Sequence, residues 1–122
     1  MTDVVDIAAK LASFDELWSP RVVAELNGQQ VKVAKLHGEY VWHAHAAEDE
    51  LFWVVSGQLR LEYRDRAVEL GPGQLAVVPR GVEHRPVAER PVEVVLFEPA
   101  TTRNTGNVDC DRTIEPEDLR RI

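Results

Sequence analysis

The twenty residues from Gly38 to Gly57 read GEYVWHAHAAEDELFWVVSG, and their pattern predicts both a strand and a binding site. Two histidines, His43 and His45, stand one residue apart, and Glu50 follows five residues after the second. Residues i and i+2 of a β-strand point to the same face, so a strand over 41–45 directs both imidazoles toward one point. Imidazoles and a carboxylate are costly to bury in a hydrophobic core, but together they form a good site for a divalent metal ion.

The composition limits the class of protein. A length of 122 residues is typical of one domain, and a hydrophobic content of 44% is enough for a core. The formal net charge of −7 argues against nucleic acid or an anionic membrane as the main partner, because both require clustered Lys and Arg. The single cysteine, Cys110, excludes an internal disulfide. We find no apolar run of membrane-spanning length and no signal peptide, and therefore expect a cytoplasmic protein.

The rest of the chain predicts three regions. Helical spacing of apolar residues up to Phe14 indicates a short N-terminal helix within 1–20, with Thr2 or Asp3 as its cap. Short apolar strands with Gly and Pro turns indicate an all-β barrel or sandwich over 21–99. The strands are predicted at 22–26, 31–36, 41–45, 51–55, 59–63, 67–70, 75–78 and 92–97. Residues 100–122 are polar and charged, and we expect them to form an irregular tail that either packs on the barrel or is partly disordered.

A third histidine completes the candidate metal site. His84 follows a predicted strand and a Pro-Gly turn, and inward positions of distant strands in a barrel face one lumen. Glu50 is the preferred carboxylate, with Glu48 and Asp49 as competitors. The alternative is that the three histidines are hydrogen-bonded barrel residues without a metal. The ligand types suit Mn, Fe, Co, Ni, Cu or Zn without choosing among them, and the lack of a thiolate excludes a cysteine-rich zinc site.

These segments resemble the two motifs of the cupin family. Gly38, the pair His43 and His45, Glu50 and Gly57 follow the first motif, with one residue fewer than usual before the first histidine. The second motif is represented by Gly73, Pro79, Gly81 and His84, whereas Ala88 replaces its usual Asn. More narrowly, the chain resembles small bacterial single-domain cupins. The resemblance implies an all-β fold, a double-stranded β-helix or jelly-roll barrel.

The resemblance also implies a ligand set. Carried over to this sequence, the metal ligands are His43, His45, Glu50 and His84, and they bind one divalent transition metal: Mn, Fe, Ni or Zn. Strand alternation places Phe52 on the same face as these ligands. The side chains predicted to point outward are large and apolar, and they are Trp42, Leu51 and Trp53. Such a surface suggests a partner, and because many cupins dimerise, the resemblance implies a homodimer.

The function expected of such a protein is metal-dependent chemistry on a small organic molecule, of the dioxygenase, isomerase or epimerase, or lyase type. Glu50 is then a ligand that could also accept a proton, while Phe52 and Arg85 are candidates for the substrate pocket. One alternative is a non-catalytic cupin that binds or senses a small ligand. A second alternative is a sugar-phosphate isomerase, which needs a cationic phosphate pocket. Arg80, Arg85 and Arg90 are the candidates for that pocket, and a solvated rim is the competing interpretation.

Overall fold

The computed structural model describes residues 3–122, which form one α-helix, one turn of 3-10 helix and eight strands. Helix α1 spans Ile7–Ala12, and the 3-10 turn spans Pro116–Asp118. The strands are β1 Arg21–Leu26, β2 Gln29–Glu39, β3 Glu50–Ser56, β4 Leu59–Tyr63, β5 Ala67–Leu70, β6 Leu75–Val78, β7 His84–Pro99 and β8 Arg120–Arg121.

Strand β7 connects the two halves of the sheet. One of its edges pairs antiparallel with β2, from Pro99 opposite Gln29 to Val87 opposite Glu39. Its other edge pairs first with β4 and then with β3, which continue to β5 and β6 respectively. The strands thus enclose a common interior, and the fold is the double-stranded β-helix that the family resemblance implies.

The interior is filled by alternate residues of six strands. One buried cluster draws apolar side chains from β2 to β7, and its members are Ala34, Leu36, Phe52, Val54, Leu59, Leu61, Leu70, Val78, Ala88, Val92, Val94 and Leu96. Helix α1 covers the opposite face of β2, where Leu11 packs with Val33 and Val95. Because successive strand residues face opposite sides, the register that buries Ala34 in the interior also turns Lys32 inward.

The N-terminal helix is shorter than the sequence predicts. Its N-cap is Asp6, whose carboxylate accepts a hydrogen bond from the backbone N–H of Ala9 at 3.1 Å. The prediction of Asp3 as the cap is therefore wrong, and Thr2 lies outside the described residues. Asp6 is the acidic residue directly before the first helical residue, where a side-chain oxygen can satisfy the free N–H groups of the first turn.

The strand predicted over 41–45 is also absent from the described structure. Only His43 forms a β-bridge in this region, and its partner is His84. His84 in turn does not lie in a loop, because β7 begins there and runs through Pro86 and Pro91. Pro91 is tolerated because it lies where the neighbour of β7 changes from β4 to β3, and Pro86 still provides its carbonyl to the backbone N–H of Tyr40 at 3.1 Å.

The C-terminal tail lies against the barrel. Strand β8 pairs parallel with β1, and the N–H of Ile122 donates to the carbonyl of Val22 at 3.0 Å. Asn104 donates to the Tyr40 hydroxyl at 3.0 Å, and Arg112 donates to the carbonyl of Glu39 at 2.8 Å. Within residues 3–122, no helix has the length and apolar character needed to cross a membrane.

Candidate metal centre

Four buried residues converge at one end of the interior. His43, His45, Glu50 and His84 each offer a ligand atom, and these atoms all lie within 4.8 Å of one another. The four residues are at most 4% exposed. The structure therefore brings together all four predicted ligands, although they come from a loop, the start of β3 and the start of β7.

Backbone pairing holds two of the ligands side by side. The N–H of His43 donates to the carbonyl of His84 at 3.0 Å, and the N–H of His84 donates back at 2.9 Å. The third histidine is held by the second motif, since the carbonyl of His45 accepts from the N–H of Gly81 at 2.7 Å. Glu50 begins β3 opposite Val78, directly before the Pro-Gly turn. The ligand geometry thus depends on the pairing between the two motifs.

Local hydrogen bonds orient two of the imidazoles. Nδ1 of His43 lies 2.9 Å from the carbonyl of Val41, and Nδ1 of His84 lies 2.9 Å from the carbonyl of Val82. A carbonyl can only accept, so each Nδ1 carries the proton and each Nε2 is left with its lone pair. This tautomer, fixed by a backbone carbonyl, is the common arrangement of metal-ligating histidine.

The unpaired atoms of the site match the needs of a cation. Nε2 of His45, Nε2 of His84 and Oε1 of Glu50 are buried without a hydrogen-bond partner among the described residues. Oε1 of Glu50 lies 3.4 Å from each of these two nitrogens, too far for a good hydrogen bond. Two ligands at about 2.1 Å from one ion are about 3.0–3.4 Å apart at octahedral or tetrahedral angles. These two spacings and the ligand types therefore fit a divalent transition metal.

The titration behaviour of the site favours the ligand forms of the side chains. Burial, and next the neighbouring His84, lower the pKa of His43 to about 4, so its imidazole is neutral at pH 7. Burial by itself would raise the pKa of Glu50, but a hydrogen bond from Glu98 and the adjacent imidazoles hold that pKa well below its usual range. Neutral imidazole and ionised carboxylate are the forms that bind metal.

The C-terminal tail supports the loop between the two histidines. Ala44 lies between His43 and His45, and its N–H donates to Oδ1 of Asn107 at 2.9 Å. The N–H of Asn107 donates to the carbonyl of Ala44 at 3.0 Å. The preceding Gly106 has a φ of +55° and leaves no room for a side chain against Ala44. This support could not be predicted from the sequence, since the polar tail contains no motif that indicates it.

A small cavity of about 40 Å³ opens beside the ligands. His43, Glu50 and Phe52 form part of its wall. The remaining wall residues are Trp18, Pro20, Lys32, Ala34, Leu36, Tyr40, Pro86, Leu96, Glu98, Asn104 and Leu119. A volume of this size holds about three water-sized spheres, so the space suits a molecule of a few non-hydrogen atoms.

Arg85, the other predicted pocket residue, is not part of that wall. Its guanidinium donates to Glu62 at 2.8 Å and to Glu39 at 3.2 Å, and it lies 5.0 Å from the ring centroid of Trp42. The residue after an inward-facing strand position points outward, and Arg85 follows the buried His84. The prediction of Arg85 as a pocket residue is therefore not supported by the geometry.

The proposed phosphate-binding arginines do not converge either. Arg80 is exposed and forms two side-chain hydrogen bonds to Asp49 at 3.2 Å. Arg90 borders a separate surface depression near Gly57. Asp49, a competing candidate ligand, therefore binds Arg80 and is not part of the ligand cluster. His37, the fourth histidine, is exposed and does not belong to the ligand cluster.

An acid–base pair on the cavity wall was not found from the sequence. Nζ of Lys32 donates to Oε1 of Glu98 at 2.7 Å, and both residues are at most 2% exposed. Burial and the nearby Glu50 carboxylate raise the pKa of Glu98 well above its usual range. The sequence does indicate that Glu98 points inward, because it continues the alternation of Val94 and Leu96 on β7. The inward direction of Lys32 is harder to predict, since both faces of β2 carry apolar residues.

Comparison with known proteins places this geometry in a family. The model of the cupin domain matches residues 25–98. The structure of a cupin-2 domain protein from Shewanella frigidimarina is 43% identical, covers 79% of this chain and 94% of its own, and superposes with a TM-score of 0.78. Protein NMB1881 from Neisseria meningitidis is 32% identical over 80% of this chain and 99% of its own, with a TM-score of 0.74. The Bacillus subtilis protein YdbB is 36% identical over 64 residues, which span 52% of this chain and 57% of YdbB.

Proposed function

This chain belongs to the cupin family, and we propose that it is an enzyme that binds one divalent transition metal and acts on a small organic molecule in the adjoining cavity. The observation that carries the proposal is the convergence of four buried ligand residues, whose ligand atoms lie within 4.8 Å of one another. Four side-chain atoms of these residues are buried without a hydrogen-bond partner among residues 3–122: both ring nitrogens of His45, Nε2 of His84 and Oε1 of Glu50. Such atoms are costly to bury unless something absent from the chain itself binds them.

The residues around the cluster suit a reaction in a confined site. A bound divalent ion would supply Lewis-acid stabilisation of a substrate oxygen. The substrate would enter beside His43 and Glu50, the two ligands that face the cavity. Phe52 and Leu96 line the same space with apolar surface and exclude water from it. Glu98 is the additional carboxyl group on this wall, and its position on the cavity would allow it to give a proton to a bound molecule or to accept one.

Metal analysis of untagged protein tests this proposal. Protein purified from metal-replete cells should contain about one divalent ion per chain by elemental analysis. His45→Ala removes a buried ligand and should lose most of this metal. His37→Ala is the matched control, because it removes an exposed histidine that is not part of the cluster, and it should retain the metal. A wild-type metal content near zero, or equal loss in both variants, contradicts the proposed site.

The identity of the metal then narrows the reaction. Iron or manganese, which change oxidation state, would favour dioxygenase-type chemistry. Zinc or nickel would favour an isomerase, epimerase or lyase, in which the ion stabilises an enolate-like anion. Turnover assays should therefore follow the elemental analysis and use protein loaded with the metal that is found.

A further inference from the structure

The cavity beside the ligand cluster contains a buried ammonium group that the metal site does not use. Lys32 is 1% exposed and lies on the cavity wall together with His43 and Glu50. One of its three N–H bonds points to Oε1 of Glu98, at 2.7 Å. Within the described part of the chain, no second acceptor lies within hydrogen-bonding distance of this nitrogen. The group therefore has donor capacity left for a molecule in the cavity.

The charges around the cavity are unbalanced once a metal is bound. A divalent ion, Glu50, Lys32 and Glu98 together carry one positive charge if Glu98 is ionised, and two if it holds a proton. The cavity wall is otherwise neutral and mostly apolar. Excess charge in such surroundings is costly, and an anion that enters the cavity removes that cost. The sign of the excess is the same in both protonation states of Glu98.

We propose that this cavity binds a small carboxylate, with Lys32 as its counter-charge and hydrogen-bond donor next to the metal position. This inference rests on the divalent metal of the proposed function and specifies the class of its substrate. The volume of about 40 Å³ suits a ligand group of a few non-hydrogen atoms inside the cavity. The apolar wall, formed in part by Leu36, Phe52 and Leu96, suits a short hydrocarbon body attached to the charged group.

Acetate and acetamide test the charge requirement, because they have nearly the same shape and differ in charge. Their binding to zinc-loaded protein is measured by calorimetry in the wild type and in a Lys32→Met/Glu98→Gln variant. This variant removes one positive and one negative charge together, so no charged group of the pair remains buried without its partner. The excess of one positive charge that the wild type has with ionised Glu98 is kept in this variant, so the comparison isolates the ammonium group of Lys32. We expect the acetate affinity to fall at least tenfold and the acetamide affinity to fall less, because acetamide can accept a hydrogen bond from Lys32 but has no charge to pair with it. Unchanged acetate affinity in this variant would overturn the inference.

A control variant and a second measurement keep the test independent of folding. Lys35→Met removes another lysine of β2, one that is partly exposed and lies 3.9 Å from Glu93, and should leave acetate binding as in the wild type. If the double variant does not fold, the side-chain ammonium resonances of the zinc-loaded wild type are recorded. Acetate should shift the resonance of Lys32 and leave that of Lys35 in place; an unshifted Lys32 overturns the inference.

Failure of the two proposals can be told apart. A wild-type protein that takes up no metal overturns the proposed function and this inference together. A protein that binds about one zinc ion per chain, but whose acetate affinity does not depend on Lys32, overturns the carboxylate site alone.

Discussion

Replacement of Gly106 by alanine tests whether the C-terminal tail positions the metal ligands. Gly106 precedes Asn107, which exchanges two hydrogen bonds with Ala44. An added Cβ would lie 2.9 Å from the carbonyl carbon of Ala44 and 3.1 Å from Cδ2 of His43, and closer still to the Ala44 oxygen. Non-bonded carbon atoms normally lie about 3.5–4.0 Å apart, so the tail or the ligand loop has to move.

The expected cost has two parts. A φ of +55° with a side chain costs about 1–2 kcal/mol relative to glycine. Displacement of the tail also weakens the two hydrogen bonds between Asn107 and Ala44, each of which contributes about 0.5–1.5 kcal/mol. The second part acts directly on the loop that carries His43 and His45. Since about 1.4 kcal/mol corresponds to a factor of ten, we expect Gly106→Ala to lower metal affinity by about ten- to a hundredfold.

Gly28→Ala is the matched control for backbone conformation. Gly28 has a φ of +76°, and its added Cβ would meet no atom within 4 Å. Both variants therefore carry the left-handed backbone strain, but only Gly106→Ala disturbs the ligand loop. Metal affinity is measured by competition with a chromophoric chelator, and the free energy of unfolding by urea titration. Equal metal affinities of the two variants would refute the view that the tail positions the ligands.

Three further predictions concern protonation, packing and assembly. In metal-free protein, His43 is protonated near pH 6.5 in the unfolded chain but only near pH 4 in the folded chain. The free energy of unfolding should therefore fall by about 1.4 kcal/mol per pH unit as the pH drops between these values. His43→Asn should remove this part of the pH dependence, and an unchanged slope in that variant contradicts the assignment. Leu61→Ala should lower the free energy of unfolding, measured by urea titration, by about 2–5 kcal/mol because Leu61 is fully buried. Leu75→Ala should lower it far less, because Leu75 is 56% exposed. Similar losses in the two variants would disprove the assignment of the core. Three apolar side chains are exposed on β3 and β6, and they are Trp53, Leu75 and Val77. We expect them to form a dimer interface, so light scattering should show a dimer that Trp53→Glu converts to a monomer. A monomeric wild type at micromolar concentration would argue against this interface.

The sequence by itself determined the candidate ligand set and much of the barrel. The spacing of His43, His45, Glu50 and His84 identified the cluster that the structure assembles. The predicted strands at 67–70 and 75–78 have the bounds of β5 and β6, because local alternation and Gly or Pro turns define short strands well. Inward and outward positions on β3 also agree with the prediction, with Phe52 buried and Trp53 exposed.

Local patterns were less informative where a segment depends on distant partners. Residues 41–45 have the alternation of a strand, yet most of their backbone groups do not pair with another strand. His43 pairs with His84, while Ala44 pairs with Asn107 of the tail. A strand requires a continuous neighbour as well as a suitable sequence, and only the tertiary structure shows which neighbour is present.

Only the tertiary structure decided what surrounds the ligands. Lys32 and Glu98 are 66 residues apart, and the register between β2 and β7 brings them into one ion pair on the cavity wall. Gly106 and Asn107 reach the histidine loop because the tail folds back over the barrel. Such contacts depend on strand register and chain path, which short-range periodicity does not encode. The sequence therefore identified the residues that would bind a metal, and the fold revealed the charged cavity and the tail that support them.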